Sequence, residues 1–326
     1  MPMAGYHKPR GNYIVTGFET IMDQYFKLYR KLNLPSGSVR ISITNDCNMK
    51  CDYCHNEGQS NPFDKKFMNL EDVKYIILGC MGYGLHKIRI TGGEPLIHPM
   101  IISILEMIKC DLCFENVGIN TNGMQGEILY NICKKKLVNQ VVIGMDYYDG
   151  NISKKSPIGK SSAEIRTTIL GITELRNGIS FCIDYVYNNN FSDLLLMVSW
   201  CLEHSIQLRI LEKIDIKDNL YSPEIFDKLY INIRETFGLK EGITVDLNEK
   251  FLFNKKGTYV FFYQSHCNRK ECFVCKNIHL RITAGGYVKP CFYNSDYSFP
   301  LLNGEFERNM NRAIINLGNP PCKKLL

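Results

Sequence analysis

The sequence predicts an α/β protein whose main part is a partial (β/α)6 barrel. Between residues 39 and 240, short runs rich in β-branched residues alternate with longer stretches of helical periodicity. Such alternation is typical of a parallel sheet with crossover helices. Polar or cysteine-containing motifs follow several of the strands, where barrels of this kind place their active face. An open doubly wound sheet is the alternative fold.

The six predicted strands are short and rich in isoleucine and valine. They are VRISIT (39–44), KIRIT (87–91), NVGIN (116–120), QVVIGM (140–145), SFCIDYV (180–186) and QLRIL (207–211). A helix is expected after each strand, near residues 70–83, 98–109, 124–136, 161–177, 191–204 and 222–237. Pro223 suits the first turn of the last helix, where no backbone donor is needed.

Two smaller regions flank the predicted barrel, which covers residues 39–240. Residues 1–38 form an extension with one amphipathic helix, FETIMDQYFKLYRKL, which we expect to pack on the outside of the barrel. Residues 241–326 are expected to form a small C-terminal domain, because short β-like segments near 258–263, 279–283 and 287–291 replace the helical rhythm. Gly285 and Gly286 predict a turn between the last two segments.

The composition is that of a globular protein, which we expect to be cytoplasmic. Hydrophobic residues make up 45% of the 326 residues, yet no apolar run approaches the roughly 18 residues of a membrane span. The first residues show no secretory signal, so we expect no membrane partner. The net charge of +6 suits a small anionic ligand, and the absence of a long basic run argues against a nucleic-acid partner.

Three of the fourteen cysteines form a C-x3-C-x2-C motif directly after the first predicted strand: Cys47, Cys51 and Cys54. A structural zinc site uses four ligands, whereas a [4Fe-4S] cluster held by three thiolates leaves one iron open to a small molecule. Half of a zinc site remains the alternative for this motif alone. Six single cysteines lie in apolar contexts and are expected to be buried: Cys80, Cys110, Cys113, Cys133, Cys182 and Cys201.

The motif CNMKCDYC, followed about forty residues later by GGEP after the second strand, resembles the radical S-adenosylmethionine (SAM) enzymes. The resemblance implies that the barrel is of the radical SAM type and that Cys47, Cys51 and Cys54 hold a [4Fe-4S] cluster. In that family SAM binds the open iron, and an electron from the cluster splits it into methionine and a 5′-deoxyadenosyl radical. This radical abstracts hydrogen from the substrate. An external electron donor such as flavodoxin or ferredoxin is therefore expected.

The same resemblance implies further SAM-binding residues by position. Tyr53 would lie against the adenine side of SAM. The GGE segment would meet the methionine amino group through backbone carbonyls, which glycine permits by close approach of the main chain. The residues assigned to SAM in this way, with Tyr53, are Gly92, Gly93, Glu94, Thr121, Asn122 and Asp146.

The segment HLRITAGGYVKPCF is similar to the auxiliary-cluster segment of the GTP 3′,8-cyclases, the MoaA-like group of radical SAM enzymes. It implies a second [4Fe-4S] cluster in the C-terminal domain, with Cys272, Cys275 and Cys291 as ligands. The spacing does not decide whether Cys267 or Cys322 supplies a fourth ligand; without a fourth thiolate, the open iron would be free to hold a substrate nitrogen or oxygen. Because these cysteines include one C-x2-C pair, a zinc ribbon is the alternative, although a second such pair is missing.

The similarity to the GTP 3′,8-cyclases runs through most of the barrel motifs and implies a basic substrate site. The matching basic positions are Arg40, Lys87, Arg89, Arg209 and Arg281. Several cations facing one cavity favour a phosphorylated or carboxylated ligand. Alternatively, these cations pair with carboxylates of the barrel, for which Glu94 and Asp146 are candidates. The chain departs from the group at His279, where the group has arginine, and at its end, which lacks a Gly-Gly tail.

We therefore expect a radical SAM enzyme with two [4Fe-4S] clusters that reductively cleaves SAM. Its radical would abstract hydrogen from a small anionic substrate, of which a nucleotide is one kind. Two narrower alternatives are an authentic GTP 3′,8-cyclase of molybdenum-cofactor biosynthesis and a peptide-modifying radical SAM maturase. A zinc-binding scaffold is the alternative outside the enzymes. The substrate, the product and the oligomeric state do not follow from the sequence.

Overall fold

The structure is a computed structural model that describes residues 32, 37–51, 53–59, 66–149, 162–213, 223–243, 250–263, 279–291 and 297–317. The predicted N-terminal helix lies outside the described residues, except for the buried Leu32. Cys267, Cys272, Cys275 and Cys322 also lie outside them. The described residues contain one twelve-stranded sheet.

Six parallel strands form the centre of this sheet. They are β1 (Ser38–Ser42), β2 (Lys87–Thr91), β3 (Asn116–Thr121), β4 (Gln140–Gly144), β5 (Ser180–Val186) and β6 (Gln207–Leu211). Each strand pairs with the next one along the chain, and the strand order does not reverse between β1 and β6. Right-handed crossovers then place the connecting helices on one face of the sheet. This arrangement confirms the partial barrel and excludes the doubly wound alternative, whose strand order reverses.

The helices follow the strands as predicted. They are α1 (Leu70–Gly82), α2 (Ile101–Glu106), α3 (Gly126–Lys134), α4 (Ser162–Thr173), α5 (Phe191–Glu203), α6 (Pro223–Phe237) and α7 (Phe306–Ile315). A π-helical turn, Met107–Asp111, continues α2. The side chains of Asn69 and Asn190 cap α1 and α5 by accepting backbone hydrogen bonds, which fixes where these two helices begin.

Strands from residue 240 onward extend the same sheet at both edges. They are β7 (Lys240–Ile243), β8 (Lys250–Phe253), β9 (Tyr259–Tyr263), β10 (His279–Ile282), β11 (Tyr287–Lys289) and β12 (Phe299–Pro300). Strand β9 pairs in parallel with β6, and β10 pairs in parallel with β1. The remaining pairs in this region are antiparallel. The strands before and after residue 240 belong to one hydrogen-bonded sheet. The domain boundary predicted at that residue stays a prediction.

The two faces of the central strands differ in chemistry because side chains alternate along a strand. One face is apolar and buried, and its members include Val39, Ile41, Ile88, Ile90, Val117, Ile119, Val141, Ile143, Ile183, Leu208 and Ile210. The other face carries Arg40, Arg89, Asn120, Gln140, Asp184 and Arg209, and we call it the polar face. The apolar face forms the core, and the polar face does not take part in it.

The prediction for the single cysteines is confirmed in four positions and wrong in two. Cys80, Cys133, Cys182 and Cys201 are buried, but Cys110 and Cys113 are exposed. The π-helical turn contains Cys110, and its extra residue per turn rotates the following side chains away from the core. None of the helices in the described part of the chain is both long and apolar enough to cross a membrane.

Candidate active site

A cavity of about 470 Å³ opens at the carboxyl ends of the central strands, on the polar face of the sheet. The loops after β1, β2, β3 and β4 supply most of its wall. The residues predicted for the first cluster and for SAM all line it: Cys47, Cys51, Cys54, Tyr53, Gly92, Gly93, Glu94, Thr121, Asn122 and Asp146. Motifs separated by up to a hundred residues in the chain thus meet in one place, as the parallel topology requires.

The three cysteine thiols border this cavity. Backbone amides point at two of the sulfurs: Met49 N–H donates to Cys47 Sγ at 3.4 Å and Asn56 N–H to Cys54 Sγ at 3.3 Å. Burial nevertheless raises the pKa of Cys47 to about 12 and also raises the pKa of Cys54. Thiols of this kind lose their protons on binding a metal, and the amide donors then stabilise the thiolates.

No three potential ligands among the described side chains converge on a single ion position. A [4Fe-4S] cluster does not need such convergence, because each thiolate binds a different iron. Three sulfurs around an open cavity, with amide donors directed at two of them, therefore fit the cluster that the motif implies.

The loop after β1 that carries Cys47, Cys51 and Cys54 is called the cysteine loop below. The main chain of the GGE segment (Gly92, Gly93 and Glu94) holds this loop in place. Gly93 N–H donates to the carbonyl oxygen of Thr44, and Glu94 N–H donates to that of Asp46, each at 2.8 Å. A Cβ atom placed on Gly93 would lie 2.0 Å from the Asp46 oxygen. Position 93 therefore requires glycine because its main chain lies so close to the main chain of the cysteine loop.

Glu94 joins the ends of β2 and β3. Its buried carboxylate accepts hydrogen bonds from Leu96 N–H at 2.9 Å, the Thr121 hydroxyl at 2.6 Å and Asn122 N–H at 2.7 Å. Burial raises its pKa to about 7, against the opposing effect of these donors. Asn122 also donates through its amide group to Asn48 in the cysteine loop, at 2.7 Å. The predicted residues at the ends of β2 and β3 therefore position one another and the loop.

Tyr53 is fixed by the loop after β4. Its hydroxyl donates to Oδ2 of Asp146, and Val186 N–H donates to the other carboxylate oxygen at 3.4 Å. Burial and the neighbouring Asp146 carboxylate raise the pKa of Tyr53 above its usual value. The ring of Tyr53 therefore has a defined place in the cavity wall, next to the middle cysteine of the motif.

The predicted basic residues lie on the polar face but not in the wall of the cavity. Arg40 is opposite Arg89 in β2 and opposite Arg281 in β10. Arg209 is opposite Asp184, which does line the cavity. Lys87 opens β2, at the end of the strand away from the cavity. Four of the five predicted cations thus form a layer below the cavity, which we call the arginine layer (Arg40, Arg89, Arg209 and Arg281).

Pairing of these arginines with carboxylates of the barrel was the alternative to a substrate site, with Glu94 and Asp146 as candidates. Such pairs are present for three of the arginines, but both candidates are wrong. Glu94 is already satisfied by donors next to it in the fold, and Asp146 holds Tyr53. The arginines pair with two other carboxylates. Arg40 contacts Glu57 at 2.6 Å, Arg281 contacts Glu57 at 3.4 Å, and Arg209 binds Asp184 with two hydrogen bonds of 2.6 and 2.7 Å.

Glu57 is a residue of the cavity wall that the sequence reasoning missed. It follows the last cysteine of the motif by three residues, lines the cavity and is 5% exposed. Burial alone would raise its pKa, but Arg40, His55 and Arg281 together lower it to about 2. The only signal in the sequence is an acidic residue directly after the motif, in CHNEG.

Arg89 and His279 show how concentrated the positive charge is. Arg89 hydrogen-bonds the neutral side chain of Gln140, and burial together with Arg209 and Arg40 lowers its pKa to about 10. The pKa of His279 is held well below its usual value by burial and by all four guanidinium groups of the arginine layer. His279 is therefore neutral, and its Nδ1 lies 3.1 Å from the Ser38 hydroxyl.

Cys291 is the one predicted auxiliary-cluster ligand within the described residues. It follows β11 and is half-buried. Burial lowers the pKa of Arg281 to about 10 and also lowers the pKa of Lys289, and Cys291 is close enough to both groups to oppose these shifts. The sulfur therefore lies near the edge of the arginine layer.

Comparison with known proteins identifies relatives of the chain. Residues 41–201 match the radical SAM superfamily. The chain is 30% identical over 275 residues to a protein of Methanocaldococcus jannaschii named Probable GTP 3′,8-cyclase, covering 79% of this chain and 86% of that protein. It is 27% identical over 310 residues to the GTP 3′,8-cyclase of Limosilactobacillus fermentum, covering 89% and 92%.

Solved structures with the same fold also exist. Streptococcus suis SuiB bound to S-adenosylmethionine superposes with a TM-score of 0.59 at 16% identity, over 98% of this chain and 72% of SuiB. The protein anSMEcpe with bound AdoMet superposes with a TM-score of 0.61 at 14% identity, over 85% of this chain and 81% of that one. At these identities the similarity supports the fold alone.

Proposed function

The chain belongs to the radical SAM superfamily, and on that basis we propose that it reductively cleaves SAM and uses the 5′-deoxyadenosyl radical to abstract hydrogen from a small anionic substrate. A [4Fe-4S] cluster bound at Cys47, Cys51 and Cys54 would supply the electron and the open iron for SAM. As a radical SAM enzyme, the protein acts on a substrate and needs a reductant. Flavodoxin or ferredoxin is the proposed donor, and the cytoplasm, which keeps thiols reduced, is the proposed location.

The arginine layer is the observation that carries the choice of an anionic substrate. Arg281, Arg40 and Arg89 lie on the adjacent strands β10, β1 and β2, and Arg209 lies on β6 of the same polar face. Glu57 and Asp184, which pair with three of the four arginines, line the cavity. Guanidinium groups bind phosphate and carboxylate groups through paired hydrogen bonds. A substrate bound between the arginine layer and the cysteine loop would therefore present its uncharged part to SAM.

The chain's own residues have proposed roles at the SAM end of the cavity. Tyr53, held by Asp146, would place its ring beside the adenine. Gly92, Gly93 and Glu94 would present backbone carbonyls to the methionine amino group. The carboxylate of Glu94 would not contact SAM, because three donors of the fold already occupy it. Thr121 and Asn122 would act by fixing Glu94 and the cysteine loop.

A second [4Fe-4S] cluster is part of the proposal. Cys272, Cys275 and Cys291 are the proposed ligands, with Cys267 or Cys322 as the fourth. The support is the resemblance of the segment around Cys291 to the auxiliary-cluster segment of the GTP 3′,8-cyclases. The position of Cys291 near the arginine layer would place such a cluster at the substrate end of the cavity.

An authentic GTP 3′,8-cyclase is the second candidate, and the names of the relatives favour it. One feature of the sequence speaks against it, namely His279 at a position where those cyclases have arginine. A peptide-modifying maturase is the third candidate. The structural neighbours described above are only 14–16% identical to this chain, so they support its fold and not this activity.

Anaerobic reconstitution tests the proposal. The wild-type protein should bind about eight irons per chain and release 5′-deoxyadenosine from SAM on reduction. Replacing Cys47, Cys51 and Cys54 together by alanine should abolish that release and leave about four irons. The matched control replaces the exposed Cys110 and Cys113 by alanine and should change neither quantity. Release of 5′-deoxyadenosine by the triple variant would contradict the assignment of the first cluster.

The substrate is identified by the same assay. GTP, other nucleotides, small phosphorylated or carboxylated metabolites and peptides are added one at a time, and acceleration of 5′-deoxyadenosine release is measured. Mass spectrometry of the compound that is consumed then names the substrate. If only peptides accelerate the release, the anionic small-molecule substrate is wrong and the maturase alternative is right.

A further inference from the structure

We propose that Glu57 determines how much negative charge the arginine layer accepts, so that the layer binds one phosphate or carboxylate group rather than a polyphosphate. The inference rests on the proposed function, because it concerns the substrate of that same site. It assigns Glu57 as a specificity-determining residue. It also narrows the substrate to a molecule with a single compact anionic group.

Glu57 is built into the site as a fixed anion. It lies in the short turn Asn56–Gly58, with a backbone φ of +50°, which non-glycine residues rarely adopt. Such a conformation persists only where surrounding contacts fix it. Here the carboxylate accepts hydrogen bonds from Arg40 at 2.6 Å and from the Thr91 hydroxyl at 3.2 Å, with Arg281 at 3.4 Å.

The charges of the arginine layer are half neutralised before any ligand binds. Its four guanidinium groups carry four positive charges, and Glu57 and Asp184 contribute two negative ones, which leaves two. Arg40 and Arg281 share Glu57, while Arg209 holds Asp184 through two hydrogen bonds. Three of the four arginines therefore already have a carboxylate.

Arg89 differs from the other three arginines. Its hydrogen-bond partner is the neutral Gln140 and not a carboxylate. Its Nη1, like Nε of Arg40, is buried without a hydrogen-bond partner among the residues that the structure describes. Gly118 makes room for this group, since a Cβ atom there would lie 2.3 Å from Nη1. A buried guanidinium nitrogen without a partner is a donor that a ligand anion can satisfy.

A longer anion would meet Glu57. Glu57 lines the cavity, so the additional phosphates of a di- or triphosphate would have to pass or approach its carboxylate. That carboxylate is ionised at neutral pH, because its arginine neighbours lower its pKa to about 2. Like charges repel strongly in a partly buried site, and the repulsion grows with each added phosphate.

Binding of inorganic phosphate, pyrophosphate and tripolyphosphate to the reconstituted holoenzyme tests this inference. Isothermal titration in the presence of SAM compares the wild type with Glu57→Gln, which keeps the shape of the side chain and removes its charge. Glu203→Gln is the matched control, because this exposed residue ends α5 and makes the same change of charge at the surface.

In the wild type, tripolyphosphate should bind no more than about threefold tighter than phosphate. Glu57→Gln should tighten binding of tripolyphosphate about tenfold more than binding of phosphate, and Glu203→Gln should change neither. Asp184→Asn removes the other carboxylate of the layer and should shift the preference in the same direction. It provides the test if Glu57→Gln fails to hold its cluster, because Asp184 lies on β5 and not in the cysteine loop.

Two results would overturn the inference alone. One is a wild type that binds tripolyphosphate clearly more than about threefold tighter than phosphate. The other is an equal effect of Glu57→Gln on all three anions. A wild type that binds none of the three anions would instead overturn the anionic substrate of the proposed function, and the inference with it.

Discussion

Replacing Gly93 by alanine should loosen the cysteine loop from the end of β2. The two segments are joined by two backbone hydrogen bonds of 2.8 Å, from Gly93 N–H to Thr44 and from Glu94 N–H to Asp46. A methyl group on Gly93 would lie 2.0 Å from the carbonyl oxygen of Asp46. This oxygen belongs to the backbone, so it cannot move away as the tip of a flexible side chain could.

The expected loss of stability in the Gly93→Ala variant follows from these contacts. The main chains must separate by about 1 Å before the methyl group reaches even 3.0 Å from the Asp46 oxygen. Each backbone hydrogen bond contributes about 1 kcal/mol net, and overpacking at a rigid contact costs about 1–3 kcal/mol. The free energy of unfolding should therefore fall by about 3–5 kcal/mol, which lowers Tm by about 4–7 °C in a protein of this size.

Thermal unfolding of the anaerobic apoprotein and iron content after reconstitution measure the effect. Gly171→Ala is the matched control, because Gly171 lies in α4 and a Cβ atom there has no neighbour within 4 Å. In a helix this change should raise stability by about 0.5–1 kcal/mol. Gly93→Ala should lower both Tm and the iron bound at the first site, whereas Gly171→Ala should lower neither.

The reasoning is refuted if Gly93→Ala matches Gly171→Ala in both Tm and iron content. Position 93 would then tolerate a side chain, and close packing of the two main chains would not be what holds the cysteine loop. A loss of iron without a loss of Tm would still agree with a loop that moves locally while the barrel stays intact.

Three further predictions concern the site. Arg89→Gln should weaken substrate binding at least about tenfold and leave SAM cleavage without substrate unchanged, as measured by titration and by 5′-deoxyadenosine release. Tyr53→Phe removes the hydrogen bond to Asp146, so the Kd for SAM should rise about fivefold in equilibrium binding. Because its pKa is lowered to about 2 from 4.5, Glu57 stabilises the fold above about pH 4.5, and this contribution is lost as the pH falls towards 2. Acid unfolding of the Glu57→Gln apoprotein should therefore depend less on pH over that range.

The central strands were predictable because their signal is local. Runs such as KIRIT and SFCIDYV alternate apolar and polar residues, and the predicted bounds of β2, β5 and β6 agree with the structure. The strand partners were less predictable. Local patterns mark residues 258–263 and 279–283 as β-like, but pairing with β6 and β1 depends on contacts far apart in the chain.

The cofactor end of the site was predictable from motif spacing, and the substrate end was not. The cysteine and GGE motifs meet because parallel strands bring their carboxyl ends together. Ion pairs inside the sheet follow from three-dimensional proximity, so neither Glu57 nor Asp184 could be matched to its arginine. The exposure of Cys110 escaped prediction for a local reason, because helical periodicity does not reveal a π-helical turn.

The pairing of β10 with β1 has a consequence for biosynthesis. Strand β1 leads into the cysteine loop, and its partner β10 comes about 240 residues later in the chain. The contact of Ser38 with His279 is one example of this pairing. A nascent chain released in stages by the ribosome therefore exposes an unpaired sheet edge beside the cysteines until residue 282 has emerged. Premature termination before that point leaves this edge of β1 open to pairing with other chains.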